Sequence, residues 1–131
     1  MDWILLIDDD TVFTWLAHRM IVKLNDSLTV KTFVNGEDAF VFLKERYAPK
    51  DSYLLILDIN MPIMNGWELV DAIAVTDTFA QNKDNLAIYI VSSSIDPKDK
   101  DKAGQLSIVK GYFGKPLEID DMKLILASNG G

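Results

Sequence analysis

The stretch Leu54–Val70, LLILDINMPIMNGWELV, decides how this chain is read. Four apolar residues, Leu54–Leu57, run straight into Asp58, and Pro62 and Gly66 follow before helical spacing sets in at Trp67. A short continuous apolar run is what a strand covered on both faces needs, because neither face meets water. Ending such a strand on a lone acid sets a charge at the edge of the core, where burial disfavours it. The reading therefore turns on what other segments bring to the same place.

Two further runs, Trp3–Ile7 and Leu86–Val91, have the same buried character as Tyr53–Leu57. Leu28–Phe33 and Ile108–Phe113 are broken by polar residues and read as sheet edges. Helical stripes lie between them. Phe13, Leu16, Met20 and Leu24 share one face, and Ala39, Phe42 and Leu43 a second. Trp67, Val70 and Ala74 share a third, and Ile119, Met122, Ile125 and Leu126 a last one. Asp96–Gln105 is a charged helix with Pro97 in its first turn. Strand and helix thus alternate five times, which predicts an α/β fold: a doubly wound, flavodoxin-like five-stranded parallel sheet with five helices. The contrast of central and edge strands favours the order 2-1-3-4-5. Residues 1–131 read as one domain without repeat, linker or output domain, and the tail Ser128–Gly131 is too short for a function of its own.

Composition narrows the function classes. The 131 residues are 49% hydrophobic and 25% charged, an ordinary globular mixture. A net charge of −7 disfavours direct binding to nucleic acid or anionic membranes and suits a cation or a basic partner. With no cysteine there is no disulfide, thiolate metal site or thiol nucleophile. The longest apolar run, Leu86–Val91, cannot span a bilayer, and no charged start with a cleavage site precedes the first strand. A cytoplasmic location is the expectation.

An α/β sheet presents its functional groups at the carboxyl ends of its strands. Here those ends carry Asp8-Asp9-Asp10, Asp58, Ser92-Ser93-Ser94 and Lys115-Pro116, whereas the second strand ends in Asn35-Gly36, with nothing chemically distinctive. In the order 2-1-3-4-5 the acids of strands one and three converge, and gathered carboxylates repel one another unless a cation sits among them. No histidine or cysteine accompanies them, so Mg²⁺ is favoured, with Mn²⁺ as the alternative ion. A hydroxyl and an ammonium from the next strand ends would complete a cradle for a phosphoryl group. Asp58 is the natural nucleophile, since aspartate can form an acyl phosphate.

The segments ILLIDDD, LLILDINMPIMNGWELV, IYIVSSS and GYFGKPL stand in the order and spacing of one family. Over nearly its whole length the chain resembles the receiver domain of two-component response regulators. The resemblance implies a signalling phosphoacceptor rather than an enzyme, taking a phosphoryl group on Asp58 from a sensor histidine kinase or a histidine phosphotransfer protein. It implies Mg²⁺ held by Asp9 directly, Asp8 largely through water, Asp58, and the backbone carbonyl of Asn60. Ser92 matches the switch hydroxyl, Lys115 the phosphate-pairing lysine, Tyr112 the aromatic that tracks activation, and Pro116 the proline of a cis peptide. The N–H of Ser93 would face the phosphate. Output would come from protein contact on the face of Asp96–Gln105, Ile108–Phe113 and the last helix, and the same face would serve a dimer. The departures are small: Ser92 for the commoner threonine, Asn65 for aspartate before the glycine, and a longer segment Thr76–Asn85.

Other residues have plainer readings. Asp10 is a helix N-cap, Ser93 and Ser94 supply turn chemistry, His18 lies on a helix surface, and Met61, Met64 and Trp67 are packing residues. Rival functions fit less well. A dehalogenase-type Mg²⁺-dependent aspartyl phosphatase needs a second aspartate where Asn60 stands. A flavin site needs a glycine- and hydroxyl-rich loop after the first strand. A calcium loop needs alternating acids. A pseudo-receiver, a binding module without chemistry, is disfavoured by the intact set of Asp8, Asp9, Asp58 and Lys115.

Overall fold

The apolar runs pair as one parallel five-stranded sheet in a computed structural model of the chain, which describes residues 2–80 and 83–127. The strands are β1 (Asp2–Ile7), β2 (Thr29–Phe33), β3 (Ser52–Leu57), β4 (Leu86–Ser92) and β5 (Val109–Gly114), in the order β2-β1-β3-β4-β5. The order is the expected one, with β2 and β5 at the edges. The tail Ser128–Gly131 lies outside the described residues.

Period-two alternation divides the central strands between two cores. Leu5, Ile7, Leu55, Leu57, Ile88 and Ile90 face one side, where α2 (Gly36–Arg46), α3 (Gly66–Ala74), α4 (Asp77–Ala80) and α5 (Pro97–Gln105) cover them. Ile4, Leu6, Leu54, Ile56, Ala87 and Val91 face the other, under α1 (Thr11–Leu24) and α6 (Ile119–Ala127). Because both faces are covered, no polar residue interrupts these runs.

Among the described residues there are six helices rather than the expected five. The additional one is α4, a single turn in the long segment Thr76–Asn85, followed by a 3₁₀ turn at Lys83–Asn85. Its anchor is Phe79, 1% exposed and edge-on to Tyr47 with ring centroids 5.0 Å apart. Two adjacent apolar residues in four, Phe79 and Ala80, show no periodicity, so the turn was invisible in the pattern.

Two helical stripes sit one step from where the spacing placed them. On α1 the buried residues are Thr14, Ala17 and Ile21; Phe13, Met20 and Leu24 flank them, and Leu16 is 46% exposed. Small Thr14 and Ala17 let the helix lie close to the sheet, and the larger residues are left at its margins. On α3 the core contacts are Leu69, Val70 and Ile73, whereas Ala74 is exposed and Trp67 is half-buried. Among the described residues no helix is long and apolar enough to cross a membrane.

The helix starts follow from their caps. Asp10 accepts the N–H groups of Val12 and Phe13 at 3.0 and 3.1 Å, as its N-cap reading required. Asn65 and Glu68 form a reciprocal capping box that starts α3. Asp96 caps α5, and Pro97 occupies its first turn, where no N–H is needed.

Candidate functional site

The register of the sheet carries the acids to one end. Ile7 pairs with Leu57, so Asp8 and Asp58 are the next residues of adjacent strands, and the Asp58 N–H donates to the Ile7 carbonyl at 2.9 Å. On the far side, β5 slips by one residue against β4 between Ile88 and Tyr89. The slip sets Gly114 opposite Ser92, and the Lys115 N–H then donates to the Ser92 carbonyl at 3.0 Å. The Lys115–Pro116 peptide is cis, as the resemblance implied.

Each buried carboxylate has one oxygen tied to backbone and one turned to the lysine. Asp8 Oδ1 accepts the Asp10 N–H at 2.9 Å, and Asp58 Oδ1 accepts the Ile59 N–H at 2.8 Å. Lys115 Nζ lies 2.8 Å from Asp8 Oδ2 and 3.8 Å from Asp58 Oδ2. It also sits 4.6 Å from the centre of the Phe13 ring, whose face attracts the ammonium. Asp8 is 1% exposed and Asp58 7%, while Asp9 is exposed at the mouth.

Burial pushes the Asp8 carboxyl above the usual carboxylate range, with Lys115 opposing it. Burial also raises Asp58, the neighbouring Asp8 charge adds to the rise, and Lys115 again opposes. Ligating oxygens of Asp8, Asp9 and Asp58 lie within 4.8 Å of one another. Lys115 is the one side chain that meets Asp8 Oδ2 among the described residues, as a close ion pair. An oxygen-only set of three acids, two of them buried and sharing a single ammonium, fits a hard divalent ion such as Mg²⁺. One lysine cannot neutralise three carboxylates.

The remaining predicted residues lie on the neighbouring strands, loops and helix. Ser92 is buried at the end of β4, and its Oγ accepts the Ser94 N–H at 3.1 Å. Ser93 and Asn60 are exposed at the rim. Tyr112 is half-buried on β5 and donates its hydroxyl to the Ser94 carbonyl at 3.3 Å. His18 is exposed on α1.

Three features escaped the sequence reading. Asn35, taken as undistinguished, is 4% exposed and caps α2 by accepting the Asp38 N–H at 2.8 Å. Its neighbour Gly36 donates to the Met64 carbonyl at 2.9 Å, so this pair braces the loop after Asp58; an Asn-Gly pair before a helix was the available signal. Gly66 does more than open a helix. A Cβ there would stand 2.3 Å from the Asp58 carbonyl oxygen, so only glycine lets α3 start against the backbone of Asp58. Third, Ser94 and Trp67 are not simply turn and packing residues. Asp99 accepts the Ser94 hydroxyl at 2.6 Å and the Trp67 indole N–H at 3.0 Å.

Several known proteins are similar to this chain in sequence and fold. It is 31% identical over 120 residues to the nitrate/nitrite response regulator protein NarL of Escherichia coli K12, covering 91% of this chain and 50% of that one. It is 28% identical over 131 residues to the two-component response regulator ARR11 of Arabidopsis thaliana, covering 93% of this chain and 21% of that one. The chain thus spans half or less of the length of these relatives. Among solved structures, a two-component response regulator from Cytophaga hutchinsonii superposes with a TM-score of 0.84 at 31% identity, over 98% of this chain and 96% of that one. The chemotaxis protein CheY4 of Vibrio cholerae superposes at 0.77 over 98% of each chain, and at 20% identity it supports the fold alone. The response regulator receiver domain family itself matches residues 4–127, nearly the whole sequence and every strand end described above. With an acid cluster, a lysine after the last strand and a hydroxyl beside them on this fold, the chain belongs to the response regulator receiver domain family.

Proposed function

We propose that this chain accepts a phosphoryl group on Asp58 from the phosphohistidine of a sensor kinase or phosphotransfer protein, and that the modification switches a protein-binding surface. The observation that carries the reading is Lys115 Nζ at 2.8 Å from Asp8 and 3.8 Å from Asp58, with Asp9 completing an acid cluster within 4.8 Å. An Asp58 oxygen forms the new O–P bond, the P–N bond of the donor breaks, and the departing imidazole nitrogen keeps the electron pair. Asp8, Asp9, Asp58 and the Asn60 carbonyl would hold Mg²⁺, or Mn²⁺ in its place. The bound ion supplies charge neutralisation for the incoming phosphoryl oxygens. Lys115 pairs with a phosphoryl oxygen after leaving its present partners, the Ser92 hydroxyl donates to another, and the Ser93 N–H lies on the same rim. The Lys115–Pro116 turn aims the lysine. An apolar groove of about 400 Å³ along α1, lined by Val12, Phe13, Leu16 and Lys115, adjoins the site and would seat the donor protein.

A hydrogen bond to a charged group is worth about 1.5–3 kcal/mol net. Inverting a two-state equilibrium from 1:99 to 99:1 needs about 5.5 kcal/mol. Ser92 alone therefore cannot drive the switch, and Lys115 with a bound partner supplies the rest. Tyr112 follows Ser92, and the α5–β5–α6 face carries the output or a dimer. The test incubates the protein with Mg²⁺ and acetyl phosphate and reads the mass. One added phosphoryl group, lost on treatment with hydroxylamine and absent from Asp58→Asn, is the expected result. Modification that survives Asp58→Asn would put the acceptor elsewhere, and none in the wild type would leave a binding module without chemistry.

A further inference from the structure

Ser94 is a junction whose polar groups each reach a different place. Its N–H donates to Ser92 Oγ at 3.1 Å, and its hydroxyl donates to Asp99 Oδ2 at 2.6 Å. The same hydroxyl oxygen accepts the Asp96 N–H at 3.3 Å, and its carbonyl accepts the Tyr112 hydroxyl at 3.3 Å. Asp99 then reaches across from α5 to α3, where its other oxygen takes the Trp67 indole N–H at 3.0 Å. Lys102 Nζ lies 4.9 Å from the centre of the Trp67 ring and adds a cation–π contact to this junction. The indole and the carboxylate are both half-buried, so the pair is partly shielded from competing water.

We propose that Asp99 is a latch: by holding the Ser94 hydroxyl and the Trp67 indole together, it ties the segment after Ser92 to α3 and restrains the switch in its unphosphorylated arrangement. Asp99 is a positioning residue, since it acts through Ser94. The proposal rests on the reading of Asp58 as phosphoacceptor and Ser92 as its hydroxyl partner. If Ser92 Oγ turns to a ligand on Asp58, the Ser94 N–H loses its acceptor, and the remaining bonds of Ser94 must either stretch or release. The latch holds the Ser94 hydroxyl and the occupied site draws on the Ser92 hydroxyl, so the two are coupled through the bond from the Ser94 N–H to Ser92 Oγ. The same coupling carries the change to Trp67 on α3, a helix outside the face already assigned to output. Neither the Trp67 indole nor the Asp99 carboxylate bonds to the acid cluster, and Ser94 is the polar link between them and Ser92.

Beryllofluoride with Mg²⁺, which mimics an aspartyl phosphate, provides the test. In ¹⁵N-indole NMR spectra Trp67 is identified by the signal lost in Trp67→Phe. Trp3, which donates to Asp51 at the opposite end of the sheet, is the internal control. Beryllofluoride is expected to move the Trp67 signal and leave that of Trp3 in place. Trp67→Phe and Asp99→Asn, each lacking one half of the latch, are expected to bind beryllofluoride about threefold or more tightly, because more of the free protein is already competent. The double variant should gain no more than either single one, since both remove the same restraint. A Trp67 signal that stays put while beryllofluoride binds, or variants that bind it no more tightly than the wild type, would overturn the latch and leave the Asp58 reading intact. No beryllofluoride binding by the wild type would overturn both.

Discussion

The two ends of the sheet are built on opposite terms. At the amino end, Trp3, Tyr47, Tyr53 and Phe79 pack ring against ring, and their polar tips are satisfied. The Tyr47 hydroxyl bonds Asn85 at 2.6 Å, and the Tyr53 hydroxyl both accepts the Ala48 N–H at 2.9 Å and donates to the Arg46 carbonyl at 3.1 Å. Asn85 in turn donates to the carbonyls of Pro49 and Asp51, each at 3.0 Å. At the carboxyl end, two buried acids share one lysine, with the exposed Asp9 beside them. The comparison teaches where stability and reactivity are kept. One end closes the core with matched donors and acceptors, and the other holds an excess of negative charge that only a cation relieves.

If that division is right, the largest stability loss comes from the end without chemistry. Phe79→Ala should cost about 3–5 kcal/mol, the range for a buried aromatic. It should leave beryllofluoride affinity at 4 °C unchanged, and denaturant unfolding measured beside binding checks both. An equal loss of affinity would mean that the two ends are not separable.

Gly66→Ala breaks the division from the other side. Its methyl would meet the Asp58 carbonyl oxygen at 2.3 Å, a backbone atom that cannot rotate away. A loss of about 3 kcal/mol is expected, in the range of overpacking, together with loss of Mg²⁺ binding followed by titration calorimetry. Wild-type Mg²⁺ affinity in this variant would show that α3 does not have to start against Asp58.

The smallest effect has the opposite sign. Asp58→Asn leaves one buried acid for one lysine and should stabilise the Mg²⁺-free protein by about 1 kcal/mol, after allowing for screening at the open mouth. Added Mg²⁺ should shrink or reverse that gain, because the wild type then binds the ion in its folded state. The pH dependence follows from the same pair. Burial holds both carboxyls above their unfolded values. As the pH falls through the raised folded range towards about 3.9, the folded chain therefore binds more protons than the unfolded one. Between those limits the pair adds stability as pH falls and withdraws it as pH rises, titrating as a unit. Melting curves in a chelating buffer should show this slope in the wild type and less of it in Asp58→Asn. A less stable Asp58→Asn protein would remove the claim of excess charge.

The sequence by itself determined the five strands and the residues at their carboxyl ends, and it favoured the order that the sheet adopts. Runs such as Leu54–Leu57 followed by an acid admit few other placements, since a buried apolar strand must stop where a charge begins. It also determined Asp10 and Pro97 as helix starts, because capping is local chemistry. What only the tertiary structure decided are relations between segments far apart in the chain. The one-residue slip that brings Lys115 beside Ser92, the glycine at 66 that must clear Asp58, the bracing of the Asp58 loop by Asn35-Gly36 and the anchoring of α4 by Phe79 all depend on a neighbour's position. So does the bond from Asp99 to Trp67, 32 residues apart in sequence. Periodicity reports which side of an element is apolar, but it carries no information about which donor will meet which acceptor once the helices are laid on the sheet.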